Sequence, residues 1–207
     1  MSSAKDLDWS QKHRPTSMEE MVLPESIGPS LRNLAKRKGG LSLLFYGKPG
    51  MGKTTAAKLI NPEGTYLLNC TLNNSVAMVK ELERTCSSIP LDGGRRLVLL
   101  DEADFLTEAA QAGLRGAVEF LLKSNDFVMT ANRPEMLSPA IRSRFLPVHF
   151  DFLMTDDFLE DLSIHLWTIA VSEGFDDVDM RILRAIVKDK FPDIRGMIKT
   201  LQFQLST

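Results

Sequence analysis

Short apolar runs rich in branched and aromatic residues alternate with stretches whose apolar positions recur every three to four residues. That alternation predicts a parallel sheet covered by helices. Five strands are expected: Leu41 to Tyr46, Thr65 to Asn69, Arg96 to Leu100, Phe127 to Thr130 and Leu146 to Phe150. Most are apolar at consecutive positions, as strands buried on both faces are. Helices are expected over Leu31 to Lys38, Lys53 to Ile60, Ser75 to Ser87 and Glu108 to Lys123, with Gly39-Gly40 and Asp92-Gly93-Gly94 as breakers. After Phe150 the strand pattern stops. Phe158, Leu162, Leu166 and Ile169, then Met180, Leu183 and Val187, are spaced for helices. Phe191-Pro192-Asp193 opens a last helix, with Pro192 where its missing N–H costs nothing. A boundary near Asp151 to Thr155 therefore divides an α/β domain, residues 1–152, from a small helical domain, residues 153–207.

With 207 residues and 43% hydrophobic content, the chain can bury one full core and a small second one. A formal net charge of −2 demands no polyanionic partner, so any nucleic-acid contact must come from a local basic face. Cys70 and Cys86 have neither metal-ligand spacing nor the density of a disulfide scaffold, and read as reduced core thiols. No apolar run approaches the ~20 residues that cross a bilayer, and the first residues carry no signal-peptide run. The expectation is a soluble cytoplasmic protein without a membrane partner.

Candidate chemistry begins at Gly47 to Thr54, which reads GKPGMGKT. It satisfies G-x-x-x-x-G-K-[ST] between an expected strand and an expected helix, the context in which backbone N–H groups cradle phosphates. Lys53 would reach the β- and γ-phosphates, and the Thr54 hydroxyl would ligate Mg²⁺. Hydrolysis needs an acid on the metal and a second group to orient water. LVLLDEAD supplies both, Asp101 for the metal and Glu102 for the water, while Asp104 has no assigned task. The letters DEAD also occur in helicases, but those need two tandem motors, more than this length holds. The fourth strand ends in Thr130-Ala131-Asn132, where the Asn132 amide could orient the same water.

In order and wording these motifs resemble the AAA+ small subunits of DNA sliding-clamp loaders, from QKHRP at Gln11 to Pro15 through FPDIR at Phe191 to Arg195. That group includes replication factor C small subunits and the large accessory ATPase subunit of T4-like phages, and the phage version is the nearer. The resemblance implies an AAA+ P-loop fold, a five-stranded parallel sheet between helices followed by a helical lid, and an ATPase that loads a polymerase clamp onto primer-template DNA. It places Gln11, Lys12, His13, Arg14 and Val22 against the adenine. The cradle would be Gly47, Lys48, Pro49, Gly50, Met51, Gly52, Lys53, Thr54 and Thr55, with ATP and Mg²⁺ as cofactors. Asn132 matches the first sensor, and Arg195 a second sensor projected from the lid. Ser143-Arg144 matches the motif whose arginine completes a neighbouring subunit's site in trans, although Phe145 stands where the family has cysteine. Gln111 and Arg115, four apart on one helix face, match the helix that meets DNA, and Lys80 is a further phosphate contact. Expected partners are the clamp, DNA and other loader subunits in a ring. The family normally continues into a helical collar, and the expectation for this chain is a lid without a collar domain. A helicase loader or protein-remodelling ATPase, or a non-hydrolysing ring subunit, would share parts of this pattern.

Overall fold

The computed structural model describes residues 8–36, 39–88 and 94–206. Its five strands are β1 Ser42–Tyr46, β2 Thr65–Asn69, β3 Arg96–Asp101, β4 Asn125–Ala131 and β5 Leu146–His149. All adjacent strands are parallel, in the order β2-β3-β4-β1-β5. The helices before and between them are α1 Trp9–Lys12, α2 Gly28–Ala35, α3 Lys53–Ile60, α4 Val76–Cys86, α5 Glu108–Leu121 and α6 Pro139–Arg142. Arg37, Lys38, Asp92 and Gly93, expected to end a helix and break the chain, lie outside the described residues.

Burial on both faces holds for β1, β3 and β4, but β2 and β5 are edges whose side chains are partly or largely exposed. Strand β4 starts two residues earlier than its apolar run suggests. Asn125 and Asp126 are polar, and the Asn125 amide nitrogen and the Asp126 carboxylate are bonded inside the fold, while Asn125 Oδ1 is buried without a hydrogen-bond partner among the described residues. The Asn125 amide donates to Cys86 O and Leu121 O, both at 3.0 Å, and Asp126 Oδ1 accepts from Leu41 N at 3.0 Å. Buried polar groups are tolerated where they are bonded in this way. The apolar faces of α4 and α5 close on the sheet through Met78, Leu82, Leu114 and Val118, packed with Val98, Leu100, Phe127 and Met129.

The described chain forms two compact units that are not contiguous in sequence. One holds residues 32–47 and 53–150, and so the whole sheet. The other holds the arm up to Leu31, residues 48–52 and everything from Asp151 on. In the second unit, α7 Asp156–Ser172, α8 Met180–Lys190 and α9 Ile194–Leu205 bury Leu162, Leu166, Leu183, Val187, Met197 and Leu201. Each helix has a side-chain cap: Thr155 accepts from Phe158 N, Asp179 from Arg181 N and Asp193 from Gly196 N. Such a cap contributes typically ~1 kcal/mol. Pro192 precedes the Asp193 cap rather than opening the helix. Helix α1 joins α9, with Trp9 N–H donating to Gln202 Oε1 at 2.9 Å. Among the described residues no helix is long and apolar enough to cross a membrane.

Candidate active site

The GKPGMGKT segment leaves β1 and enters α3, with Gly47, Gly50 and Gly52 at φ values of 144°, 79° and 85°. Positive φ is readily available only to glycine, so these three positions let the backbone wrap. Gly50 is needed twice over, because a Cβ there would stand 1.8 Å from Asp193 Oδ1. Pro49 and Lys48 are exposed, while the Met51 side chain is buried. Lys53 is buried at the start of α3, and its Nζ donates to Gly47 O at 2.7 Å. Thr55 follows on α3 and is partly buried.

The carboxyl ends of β3, β4 and β1 are neighbours in the sheet, which brings three chain segments to one place. Asp101 Oδ1 accepts from Thr54 Oγ1 at 2.7 Å and from Thr130 Oγ1 at 2.6 Å. The expected metal pair, Thr54 and Asp101, is thus in direct contact. Glu102 leaves the strand at φ 57° and ψ 47°, the one non-glycine among the described residues with positive φ. Such a conformation costs roughly 1–3 kcal/mol and persists only where the surroundings over-determine it. Here Glu102 N–H donates to Thr130 Oγ1 at 2.9 Å. Among the described residues no hydrogen-bond or ion-pair partner holds the Glu102 carboxylate.

Asp104, without a task in the sequence, organises the next segment. Its carboxylate is buried and accepts from Asn132 N at 3.4 Å and Arg133 N at 3.2 Å, with Arg133 Nε at 3.7 Å. The backbone that carries Asn132 is therefore anchored from the β3 side. Gln111 corrects an expectation: it does not share an exposed face with Arg115. It is 4% exposed, its amide donates to Leu106 O at 3.2 Å and Met136 O at 3.0 Å, and its Oε1 accepts from Ser138 N at 2.7 Å. The Gln111 amide is consumed by backbone and is not offered to a ligand, whereas Arg115 and Lys80 are exposed.

Arg144 lies just before β5. Its guanidinium is held by the Glu119 carboxylate, with Nε at 2.9 Å from Oε1, and it also donates to Ala140 O. Arg195 is exposed in the first turn of α9. In the arm, Gln11 is exposed, and Arg14 and Val22 are partly buried. Lys12 Nζ and His13 Nε2 both reach Glu173 at the end of α7, at 2.6 Å and 2.5 Å from Oε1. Burial pushes the Glu173 carboxyl up, but hydrogen bonds and charge from Lys12 and His13 outweigh it and hold it below the usual range. Burial and the nearby His13 lower the His165 pKa.

The oxygen set at Thr54 and Asp101 suits a hard cation that takes few protein ligands and completes its shell with phosphate and water. Among the described residues no group of three or more His, Cys, Asp or Glu offers an all-protein metal cage. Beside the acids, the Cys70 thiol is pushed up to about 12 by burial, with Asp101, Asp104 and Glu102 adding to the effect. Sequence reasoning missed Thr130, Asp104 and Glu119 as organisers. Only for Thr130 was there a signal, a polar residue two before Asn132 at the end of an apolar run.

Residues 43–150 match the family described as "ATPase family associated with various cellular activities (AAA)". The replication factor C small subunit of Thermofilum pendens is 33% identical over 204 residues, covering 94% of this chain and 61% of that protein. The replication factor C small subunit of Aeropyrum pernix is 32% identical over 216 residues, covering 98% and 64%. The chain thus spans less than two thirds of the length of these relatives. Among solved structures, the Thermotoga maritima RuvB Holliday junction branch migration motor superposes with a TM-score of 0.72 at 22% identity, over 91% of this chain and 64% of that one. The likeness to RuvB concerns the fold.

Proposed function

The chain belongs to the AAA family of ATPases, and from that premise we propose that it is an ATP-hydrolysing subunit of a sliding-clamp loader. The observation that carries the chemistry is the contact of Thr54 and Asp101 at 2.7 Å, with Glu102 presented beside them. The likeness to replication factor C small subunits over nearly the whole of this chain supports the loader reading over a remodeller.

On this reading Lys53 exchanges Gly47 O for the β- and γ-phosphates of ATP. Thr54 and Asp101 would hold Mg²⁺, which would supply positive charge to neutralise the phosphates. Glu102 takes up the proton of the attacking water, and Asn132 orients that water. Arg144 leaves Glu119 to reach the site of a neighbouring subunit, where a fixed guanidinium stabilises transferred-phosphoryl charge. Arg195 contacts nucleotide from the helical domain, residues 153–207, which follows a nucleotide-binding domain of residues 1–152. The arm residues 11–14 and Val22 face adenine. The partners would be other loader subunits, a clamp and primer-template DNA, in the cytoplasm or that of a host, with Arg115 and Lys80 as basic contacts to DNA.

The test is ATP turnover with and without primed DNA plus a clamp, for wild type, Lys53→Ala and Glu102→Gln. Stimulated turnover abolished by both changes, with ATP still bound by Glu102→Gln, is expected. Turnover indifferent to DNA and clamp would leave an ATPase of another kind, and turnover equal to the Lys53→Ala background would remove the enzymatic role.

A further inference from the structure

We propose that Thr130 is a positioning residue for both acids of the site. Its hydroxyl fixes Asp101 from one side and, from the other, locks the backbone turn that presents Glu102; the catalytic meaning of this rests on the reading of Asp101 and Glu102 given above.

The directions of the two hydrogen bonds follow from inventory. A hydroxyl has one proton and two lone pairs, an ionised carboxylate only accepts, and a backbone N–H only donates. Thr130 Oγ1 lies 2.6 Å from Asp101 Oδ1 and 2.9 Å from Glu102 N. Its proton therefore goes to Asp101 and a lone pair receives the Glu102 N–H. Both groups are bound by one oxygen atom on a strand other than their own. Thr130 is 1% exposed, so water does not replace it if the hydroxyl is removed.

Glu102 stands at φ 57°, where a side chain other than glycine's is disfavoured. The residue after it starts the 3-10 turn Ala103–Phe105, so this single left-handed residue sets the direction in which the chain and the carboxylate leave β3. Parallel pairing of β3 with β4 runs as far as Leu100 with Met129, so the Glu102 N–H lies beyond the ladder and requires another acceptor. Thr130 supplies it. Without the hydroxyl, residue 102 is released toward ordinary extended backbone and its carboxylate swings away. The hydrogen bonds of Thr130 Oγ1 run to Asp101 and Glu102, so its loss should leave binding of the triphosphate largely in place.

Thr130→Val keeps the shape and removes the hydroxyl, and Thr130→Ser keeps the hydroxyl. Two readouts are needed: backbone amide exchange at Glu102 by NMR, and single-turnover hydrolysis with the ATP dissociation constant, at chain concentrations where neighbours associate. In Thr130→Val the Glu102 amide should lose its protection, hydrolysis should fall roughly 10- to 100-fold, the scale of a small misplacement of a reacting group, and ATP affinity should stay within about threefold. Thr130→Ser should recover most of both. In a Glu102→Gln background Thr130→Val should slow hydrolysis by a smaller factor than in the wild type, the remainder coming from Asp101. Should the valine chain not fold, Thr130→Cys, of similar size but a weak donor, replaces it. Unchanged amide protection, serine and valine falling alike, or ATP affinity falling in step with hydrolysis would each overturn the proposal. If Glu102→Gln itself hydrolyses normally, the base assignment fails, and amide exchange alone then decides whether Thr130 holds the turn.

Discussion

Replacing Asp104 by alanine should destabilise the sheet-bearing unit and loosen the segment that carries Asn132. The Asp104 side chain is 1% exposed and accepts from Asn132 N at 3.4 Å and Arg133 N at 3.2 Å. A hydrogen bond to a charged group contributes ~1.5–3 kcal/mol, and both of these are long, so the lower end applies to each. Arg133 is half exposed at 3.7 Å, and a screened pair of that kind adds at most ~1 kcal/mol. The expected loss is ~3–4 kcal/mol, or roughly 6–16 °C in the midpoint of a chain this size. Asp104→Asn keeps the volume and one acceptor oxygen, and should lose about half as much. Urea and thermal unfolding followed by circular dichroism measure both. An Asp104→Ala chain that unfolds within ~0.5 kcal/mol of wild type would refute the anchoring, because among the described residues no other carboxylate accepts from those N–H groups.

Gly50→Ala should weaken nucleotide binding at least tenfold in a fluorescence titration, since the new Cβ meets Asp193 Oδ1 at 1.8 Å and φ is 79°; adding Asp193→Ala should recover part of the loss, and undiminished binding by the single variant would contradict the loop. The lowered pKa of His165 means that the folded chain resists a proton that the unfolded chain accepts near 6.5. Its contribution to stability is therefore complete above that pH and drains as pH falls below it. His165→Gln should flatten the stability curve between pH 7 and pH 5, and parallel curves would dismiss the effect. With Cys70 pushed up to about 12 and Cys86 also raised by burial, neither thiol should react with a disulfide reagent at pH 8 until denaturant is added; rapid labelling of the folded chain would count against their burial.

Most of the fold was legible because the sheet is a matter of local pattern. The apolar runs at Leu43 to Phe45, Leu97 to Leu100 and Phe127 to Met129 can be buried on two faces only in a covered parallel sheet, and they occupy its centre. The edges were less legible: β2 and β5 look as apolar in sequence, and which strand ends up at an edge depends on strand order, which no window of residues reports. At the site, the loop, Asp101 and Glu102 announce themselves through spacing. Gln111 did not, because its spacing from Arg115 says that two residues share a helix face but not which way that face is turned. Packing turned it inward, where Leu106 O, Met136 O and Ser138 N claim the amide. Asp104 was hidden for the opposite reason. Its partners are backbone groups some 28 residues away, and backbone N–H groups leave no mark on sequence.

Strand β4 shows how polar residues inside one buried element divide between stability and chemistry. All seven of its positions are buried, yet Asn125, Asp126 and Thr130 are polar. At the amino end the side chains meet groups of the fold itself. Asn125 donates to the terminal carbonyls of α4 and the last turn of α5, and Asp126 takes Leu41 N and the Arg95 guanidinium. Any residue pair satisfying those groups would serve. At the carboxyl end Thr130 meets two carboxylate-bearing residues, one of them held in a conformation that costs free energy. Stability accounts for Asp104, which anchors backbone, but gives no reason to set Asp101 and Glu102 so close to it that all three help to raise the Cys70 thiol. Open parallel sheets bind their ligands beyond the carboxyl ends of the strands, where loops and helix starts face outward. The acids, the glycine loop and Thr130 all lie at that end of the sheet. A buried polar residue there, bonded to an acid rather than to a helix end, therefore points to chemistry, whereas the same residue type at the amino end points to packing.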